Sequence, residues 1–526
     1  MNAPNWTYAT QSRTAPPSTI AAIVVLEAMT TGVAIATVLG NVAADFGPSP
    51  GTSPHPLAST AMSIVALTAR RCFLIAALPV ASGTSERTYI ATDRLGTSPS
   101  ELSRNSNDQR PVRSLDLARC ERPQFSISAH EGTGGPVQSD PIETGVARMV
   151  RESARVSPTD VLDLLDVLCQ LLQAQSARFH VADYSLRRLQ QIDVHGPVGA
   201  PQLIAGTLIG RVFTTGDIQS VGTGPTTVFV PLVDGSCSIG VLELEFEAWD
   251  RRSVPLLDTV VSIFVMAWIV KGRYTDTADR ARRSEPLSAA AEVQWDLLPP
   301  LACATERVAV SGILEPAYDI GGDSFDYAFD AFSVDFTIVD AMGHGMSAVL
   351  MSAAAINSLR NSRRAKVGIT AAYDDADRSI ARQFGDSRYV TGLIGTLAVG
   401  SGVLTWINAG HVLPMLVRNG TYAGPLPCKP SRPFGLGGRV SEVAEQALQH
   451  GDRVLFYTDG ITEARSSDGS GFGEDRLADL LVRASLENLP VQQTVRHLAD
   501  SIVNFSGASL RDDATMLLME YEPASA

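Results

Sequence analysis

The stretch Gly321–Gly345, reading GGDSFDYAFDAFSVDFTIVDAMGHG, sets two carboxylates beside glycine turns. Asp323 follows Gly321-Gly322, and Asp340 precedes Met342-Gly343-His344-Gly345. Between them Phe332 to Val339 alternates apolar and β-branched residues, which predicts a strand. An Asp at a strand end, followed by a glycine turn, can direct its oxygens at a hard cation. The stretch therefore reads as part of a divalent-metal site built from Asp residues.

The remainder of the C-terminal region has the same texture of short strands, glycine turns and two helical stretches. Val308 to Leu314 predicts a strand, Met346 to Leu359 a helix with an apolar stripe, and Ala371 to Phe384 a second helix. Asp374, Asp375 and Asp377 are placed near the start of that second helix, where the dipole favours negative charge. Leu393 to Val399 and Val403 to Ile407 read as a hairpin leading into Asn408-Ala-Gly-His411. Arg453 to Tyr457 is a strand ending in Thr458-Asp459-Gly460, Leu477 to Leu486 and Val491 to Phe505 are helical, and Asp512-Asp513 precedes a last strand, Met516 to Tyr521.

Four acidic clusters thus stand at strand edges: Asp323 with Asp326, Asp340, Asp459, and Asp512-Asp513. Carboxylates and backbone carbonyls are the ligands that octahedral Mg2+ or Mn2+ prefers, and no His or Cys is spaced to compete. Several Asp side chains brought together without a cation repel one another and rise in pKa; a dinuclear site removes that cost. Two metals can clamp a phosphoryl oxygen and acidify a shared water for in-line attack on phosphorus.

Any one Asp-Gly is usually only a turn. In this order, however, GGDxxD, VDAMGHG, NAGHxxP, FYTDGITE and DDAT resemble the PPM class of metal-dependent protein serine/threonine phosphatases, in its SpoIIE/RsbU-like branch, over about residues 290 to 522. The resemblance implies an α+β fold, a PPM-type α-β-β-α sandwich of two antiparallel sheets flanked by helices. It matches Asp323 to the first metal-ligand Asp, Asp340 to the bridging Asp, Asp459 to the ligand of the TDG motif and Asp512 to the final ligand. Ala341 takes the place of a residue, often Gly, that offers its carbonyl to the metal; Asp513, where Asn is common, ranks below Asp512. His344 is a proton donor, a partner of metal-bound water, or a turn residue. His411 and Asn408 shape the NAGH turn or serve function, and Asp326 and Glu463 hold metal-bound waters or make turn hydrogen bonds. No counterpart is found for the phosphate-binding Arg near the N-terminus of some eukaryotic relatives, so substrate phosphate would rely mainly on the metals.

The chain of 526 residues allows three domains, and 45% apolar with 19% charged residues is a globular composition. A net charge of −14 argues against a broad nucleic-acid footprint. Its six cysteines are scattered singly without CxxC spacing, which suggests reduced thiols and a cytoplasmic setting. Residues 1–140 are rich in Pro, Ser, Thr, Ala and Gly and predict a low-complexity, partly disordered region. Ile20 to Ala44 is long enough to cross a membrane, but Glu27 interrupts it and small residues dominate, so a membrane span is disfavoured.

Val161 to Leu172 predicts an amphipathic helix, Arg178 to Asp183 and Arg188 to Val194 two strands, and Ala205 to Phe213 a helix. Thr226 to Leu232 and Ser238 to Phe246 flank an Asp234-Gly235 turn, and a long helix follows from Ser253 to Gly272. This order, with VPLVDGSCSIGVLELEF at 230–246, resembles a GAF domain over 141–272, with a PAS-like module as the rival. GAF domains bind small ligands or dimerise; Cys169 and Cys237 are candidate attachment points, although Cys in an apolar helix or strand is usually a small buried hydrophobe. Residues 273–300 predict a helical linker, charged from Tyr274 to Asp296, whose Gln294, Trp295, Leu297 and Leu298 pack on the output domain, 301–522.

The expectation is a sensor-coupled phosphatase with two Mn2+ or Mg2+ ions. Its substrate is expected to be a phosphoserine or phosphothreonine on a bacterial regulator, such as a STAS-type anti-sigma factor antagonist, and its linker can support a homodimer. The alternative is a catalytically silent scaffold that sequesters such a partner.

Overall fold

The computed structural model describes residues 141–522 apart from Ile320, Asp386, Ala508, Ser509 and Arg511. The low-complexity region 1–140, its apolar segment Ile20 to Ala44 and the first two cysteines lie outside the described residues. Within them, α1 (Pro141–Arg155), α2 (Leu164–Leu172), β1 (Ser176–Ala182), β2 (Arg188–Asp193), β3 (Gly196–Leu203), α3 (Leu208–Thr215), β4 (Gln219–Val221), β5 (Thr226–Asp234), β6 (Cys237–Phe246) and α4 (Val254–Gly272) come first. The strands form one antiparallel sheet in the order β3-β2-β1-β6-β5-β4.

Helices α1, α2 and α4 cover one face of this sheet, with Met149, Leu168, Leu242 and Phe264 in the core. Phe179 of β1 sets its edge against Phe264 and Trp268, at ring-centroid distances of 5.5 and 4.9 Å. On the other face Ile209, Val212 and Phe213 of α3 pack on Leu189 and Val241. Helix α4 is long and apolar enough to cross a membrane by length and composition, yet Leu257, Val260, Phe264 and Trp268 are buried against the sheet. Two features differ from the pattern-based expectation. Strand β3, GPVGAPQL, carries too few apolar residues to alternate, and the expected helix over 161–172 opens with a 3-10 turn, Pro158–Asp163.

The linker consists of two helices, α5 (Thr277–Arg282) and α6 (Ala289–Leu297). Pro286 disfavours helix at the residue before it, and Ser288 then caps α6 by accepting from Ala291 N at 3.1 Å. Arg282 lies 4.1 Å over the Tyr184 ring, which itself packs 4.8 Å from Trp295. The linker therefore folds back onto the β1–β2 turn.

The C-terminal part comprises β7 (Ala302–Ala304), β8 (Val308–Glu315), β9 (Ser324–Phe329), β10 (Ser333–Ala341), α7 (Met346–Arg364), α8 (Ile369–Phe384), β11 (Val390–Ala398), β12 (Val403–Ala409), β13 (Met415–Arg418), β14 (Thr421–Pro425), β15 (Ala444–Ala447), β16 (Asp452–Tyr457), α9 (Asp459–Thr462), α10 (Glu474–Leu486), α11 (Val491–Phe505) and β17 (Ala514–Tyr521). Two antiparallel sheets result, β15-β12-β11-β10-β9 and β14-β13-β16-β17-β8-β7. Their facing sides share a core of Val310, Phe325, Phe336, Trp406, Phe456 and Leu517. Outside the first sheet α7 and α8 bury Ala348, Met351, Ile356 and Ile380; outside the second, α10 and α11 bury Leu477, Leu481, Leu498 and Ile502. This is the α-β-β-α sandwich that the resemblance implied.

Period-two alternation decides which layer each residue enters. On β10, Val334, Phe336 and Ile338 face the opposite sheet, while Val339 and Ala341 face α7 and α8. Phe336 meets Phe456 across the sandwich at 4.2 Å between centroids. Helix α8 begins two residues earlier than its apolar pattern suggested, so Asp374, Asp375 and Asp377 fall in its second and third turns. Asp377 is instead buried and accepts from Gly435 N and Gly437 N at 2.8 and 3.1 Å.

Phe336→Ala is expected to lower stability in denaturant unfolding by about 3–5 kcal/mol, the usual cost of emptying a buried aromatic position. Phe332→Ala, at a residue 82% exposed just before β10, should change it by under about 0.5 kcal/mol.

Candidate active site

At one end of the sandwich the two facing surfaces turn from apolar to acidic. The β10 face bearing Val334, Phe336 and Ile338 ends in Asp340. The β9 face bearing Phe325 and Tyr327 starts with Asp323. Because β10 pairs Val339 with Ser324, one further step of the register sets Asp340 opposite Asp323, on the same side. From the second sheet, the β16 face of Val454 and Phe456 ends in Thr458, and the β17 face of Leu517 and Met519 begins with Thr515. Thr515 N donates to Thr458 Oγ1 at 2.9 Å, and that hydroxyl donates to Asp323 Oδ2 at 2.6 Å.

Above this buried polar floor lies an open cleft of about 480 Å3, lined by Asp340, Ala341, Met342, Gly343, His344, Tyr389, Thr391, Gly410, His411, Val412, Asp459 and Asp512. Three of the four sequence-predicted ligand carboxylates, Asp340, Asp459 and Asp512, thus share one wall with Ala341. The fourth, Asp323, does not line the cleft; it is 3% exposed and sits beneath. Asp513 has another task. Its carboxylate accepts from Gly321 N at 2.8 Å, from Gly322 N, and from Asp323 N at 3.2 Å, clamping the GGD turn. Gly460 of the TDG motif is required by contact, since a Cβ there would stand 1.8 Å from the Asp513 carbonyl oxygen.

Asp326 faces the other way, as strand alternation demands. It lies on the α7 side and pairs with Arg360 at 2.6 Å and Arg363 at 2.7 Å, so it fixes helix to sheet. Asn408 and His411 close their own turn: His411 N donates to Asn408 Oδ1 at 2.7 Å, and Asn408 Nδ2 donates to His411 O at 2.8 Å. The His411 ring then joins the two sheets at the cleft wall, Nε2 to Tyr457 O at 3.0 Å and Nδ1 to Thr391 Oγ1 at 3.1 Å. A carbonyl only accepts, so Nε2 carries the hydrogen and Nδ1 accepts from the threonine. Burial pushes this histidine down to about 4, keeping it neutral. His344 lies exposed at the cleft, and Glu463 follows α9 close enough for its charge to act on Asp459.

The electrostatics are those of an acidic cluster lacking a counter-charge. Asp340 is pushed up to about 7, first by burial and then by Asp459, Asp512 and Asp513. Asp323 is raised well above the carboxylate range by burial, then by Asp340 and Asp513. Asp459 is raised by partial desolvation and by Glu463 and Asp512. A divalent cation relieves all of these terms at once. Among the described residues no three His, Cys, Asp or Glu side chains converge tightly enough to ligate one ion by themselves. The donors the cleft does offer, carboxylates and the Ala341 carbonyl, are all oxygens, the kind a hard divalent cation takes with water completing its shell.

Residues 330–522 match the family model described as Stage II sporulation protein E (SpoIIE). The C-terminal domain is a SpoIIE-type phosphatase domain. Phosphoserine phosphatase RsbU of Bacillus subtilis is 22% identical over 244 residues, covering 44% of this chain and 68% of RsbU. Protein IcfG of Synechocystis is 22% identical over 259 residues, 43% of this chain but only 40% of IcfG. Among solved structures, the SiaA-PP2C domain of Pseudomonas aeruginosa is similar at 20% identity and a TM-score of 0.39, covering 44% of this chain and 94% of that one. The SpoIIE match takes in β10 to β17, hence Asp340, Asp459 and Asp512; Asp323 lies just before it.

Tyr389 and Thr391 of the site belong to no motif singled out in the sequence. Their only signal is register: β10 pairs Asp340 with Thr391, which places that end of β11 beside the acidic turn.

Asp340→Asn removes one member of the repelling cluster. It is expected to raise the thermal midpoint of the metal-free protein at pH 8, and to abolish the further rise that millimolar Mn2+ gives the parent. Differential scanning calorimetry of both proteins with and without Mn2+ checks both signs.

Proposed function

We propose that this chain is a metal-dependent phosphoprotein phosphatase that hydrolyses phosphoserine or phosphothreonine on a cytoplasmic regulatory protein. The observation that carries the reading is the meeting of Asp340, Asp459 and Asp512 in one open cleft of a SpoIIE-type domain. An open cleft admits a side chain presented on a protein surface. A regulatory protein as substrate, such as a STAS-type anti-sigma factor antagonist, is in keeping with the kinship to RsbU, a phosphoserine phosphatase.

Asp340, Asp459, Asp512 and the Ala341 carbonyl would hold two Mn2+ or Mg2+ ions, with Asp323 supporting them from below. Bound there, the ions supply positive charge to the phosphoryl oxygens and acidity to a water. In the overall reaction a water oxygen forms a bond to phosphorus on the side opposite the serine or threonine oxygen. The bond from phosphorus to that oxygen breaks, and the proton released by the water ends on the leaving alkoxide. Thr458 holds the Asp323 carboxyl by its hydroxyl, and neutral His411 fixes the wall between Asp340 and Asp459 without adding a charge.

The N-terminal sheet, read as a GAF-like sensor, has a route to this site. Asp183, in the β1–β2 turn, accepts from Ser284 Oγ at 2.6 Å and from Tyr318 Oη at 3.2 Å. Arg187 of the same turn pairs with buried Glu315 at 2.8 Å, and Trp295 of α6 donates to Ala317 O at 2.8 Å. The contacts with Glu315, Ala317 and Tyr318 fall on the stretch that leads to Asp323 at the floor of the cleft, and the one with Ser284 on the linker. A ligand or partner that moves the β1–β2 turn would move the floor.

Asp340→Asn and Asp459→Asn should each abolish Mn2+-dependent hydrolysis of p-nitrophenyl phosphate and of a phosphoserine peptide. Undiminished turnover in both variants would sink the mechanism. No Mn2+ or Mg2+ binding to the parent at millimolar concentration in calorimetry would favour the silent scaffold instead.

Asp183→Ala should lower kcat of the parent chain by about 2- to 30-fold, the range of couplings carried through packed networks, without altering the fold seen by circular dichroism. An unchanged kcat would disconnect the sensor turn from the site.

A further inference from the structure

A phosphoserine side chain carries close to two negative charges at neutral pH, and the cleft meant to receive it is walled by three carboxylates. None of its lining residues is Lys or Arg. Four arginines of the described domain are committed to carboxylates: Arg360 and Arg363 to Asp326, Arg418 to Asp452, and Arg453 to Glu520.

Arg388 is set apart by its place beside the cleft residue Gly343. It sits in the connection from α8 to β11, immediately before the cleft residue Tyr389, and its side chain is exposed. Its Nη1 lies 4.0 Å from where a Cβ on Gly343 would stand, and Gly343 lines the cleft. Among the described residues its guanidinium makes no ion pair or side-chain hydrogen bond. Its backbone, by contrast, is held firmly. Arg388 N donates to Gly385 O at 3.3 Å, and its carbonyl abuts Gly435, where a Cβ would approach within 2.6 Å. The adjoining Tyr389 carbonyl accepts from Met342 N at 3.1 Å. The same backbone bond that fixes the Asp340–Gly343 turn therefore fixes the base of this arginine. A positioned backbone with an uncommitted cation at the rim is an arrangement suited to an anionic ligand.

We propose that Arg388 binds the non-bridging oxygens of the substrate phosphate and so supplies the cation that the cleft wall lacks; the inference rests on the phosphatase reading given above. A guanidinium presents two parallel N–H donors to two phosphate oxygens, a geometry that lysine cannot reproduce. Its position beside Gly343 places it on the Asp340–Gly343 side of the cleft, next to the ligand turn. Arg388 therefore selects for a dianionic monoester, whereas the carboxylates hold the metals.

The test uses the parent chain, Arg388→Ala and Arg388→Lys. Inorganic phosphate is titrated calorimetrically into the Mn2+-loaded proteins, and hydrolysis of a phosphoserine peptide is followed in parallel. Arg388→Ala should weaken phosphate binding and lower kcat/KM by about ten- to a hundredfold, the value of a charge-assisted hydrogen bond, while Mn2+ affinity stays at the parent level. Arg388→Lys should recover part of the loss. Phosphate affinity in Arg388→Ala equal to the parent's overturns the proposal, as does a parallel fall in Mn2+ affinity, which would mark the residue as a support of the metal turn. If the parent binds phosphate but hydrolyses neither peptide nor p-nitrophenyl phosphate, the phosphatase reading fails while the phosphate titration still decides the role of Arg388.

Discussion

Carboxylates held near one another at the end of an apolar sandwich are the constraint on which this domain is built. The strands cannot relax away from that arrangement. Phe325, Phe336, Phe456 and Leu517 lock the two sheets face to face, and alternation along each strand then dictates where the next inward residue falls. Where the apolar run stops, the next inward positions are Asp340, Asp323, Thr458 and Thr515. The hydrophobic core thus does the work of bringing like charges together, and its burial offsets the repulsion that lifts Asp340 to about 7. An acidic cluster maintained against that repulsion is a structure waiting for a cation.

The floor and the wall of the cleft are held by different means. The wall carboxylates are exposed to solvent, Asp459 at the start of α9 and Asp512 in the loop before β17. Asp323 below is gripped by Thr458, and the turn that presents it is gripped by Asp513, whose carboxylate faces the amides of Gly321 to Asp323. Asp512 and Asp513 are neighbours in sequence and yet perform separate tasks, one lining the cleft and one clamping backbone. Their order in the chain matters because successive residues at a strand entrance point to opposite sides.

Much of this was legible in the sequence, and the reason lies in particular residues. The inward run of β10 and the FYTDG strand end announce themselves by alternation, and the helices by their apolar stripes. Asp326 was ambiguous only because the GGDSFD stretch was not read as the start of a strand. Given β9, Asp323 and Asp326 are three apart and must face opposite layers, which sends Asp326 to Arg360 and Arg363. In the linker, Pro286 separates the two helices, and the stacking of Arg282 on Tyr184 is a long-range contact that the local pattern does not encode. Tyr389, Thr391 and Arg388 carry no motif at all. Tyr389 and Thr391 reach the cleft, with Arg388 next to them in the chain, because β10 pairs with β11, a long-range fact that no local pattern encodes.

Contacts of the same long range tie the first domain to the stretch that precedes Asp323. Glu315 closes β8, and its carboxyl is buried with Arg187 from the β1–β2 turn; burial raises it to about 7 although the arginine opposes the shift. A buried ion pair of this kind is weak as a source of stability, because desolvation consumes much of its attraction, but it is costly to break on one side only. It therefore fixes the register between the two domains more than it glues them. From Glu315 the chain has only seven residues before Asp323, and Tyr318 and Ala317 within that span are themselves tied to Asp183 and Trp295. Asp513 in turn ties the GGD turn to the strand that follows Asp512, so Asp323 is presented by a turn held from the second sheet while the stretch before it is held from the first domain.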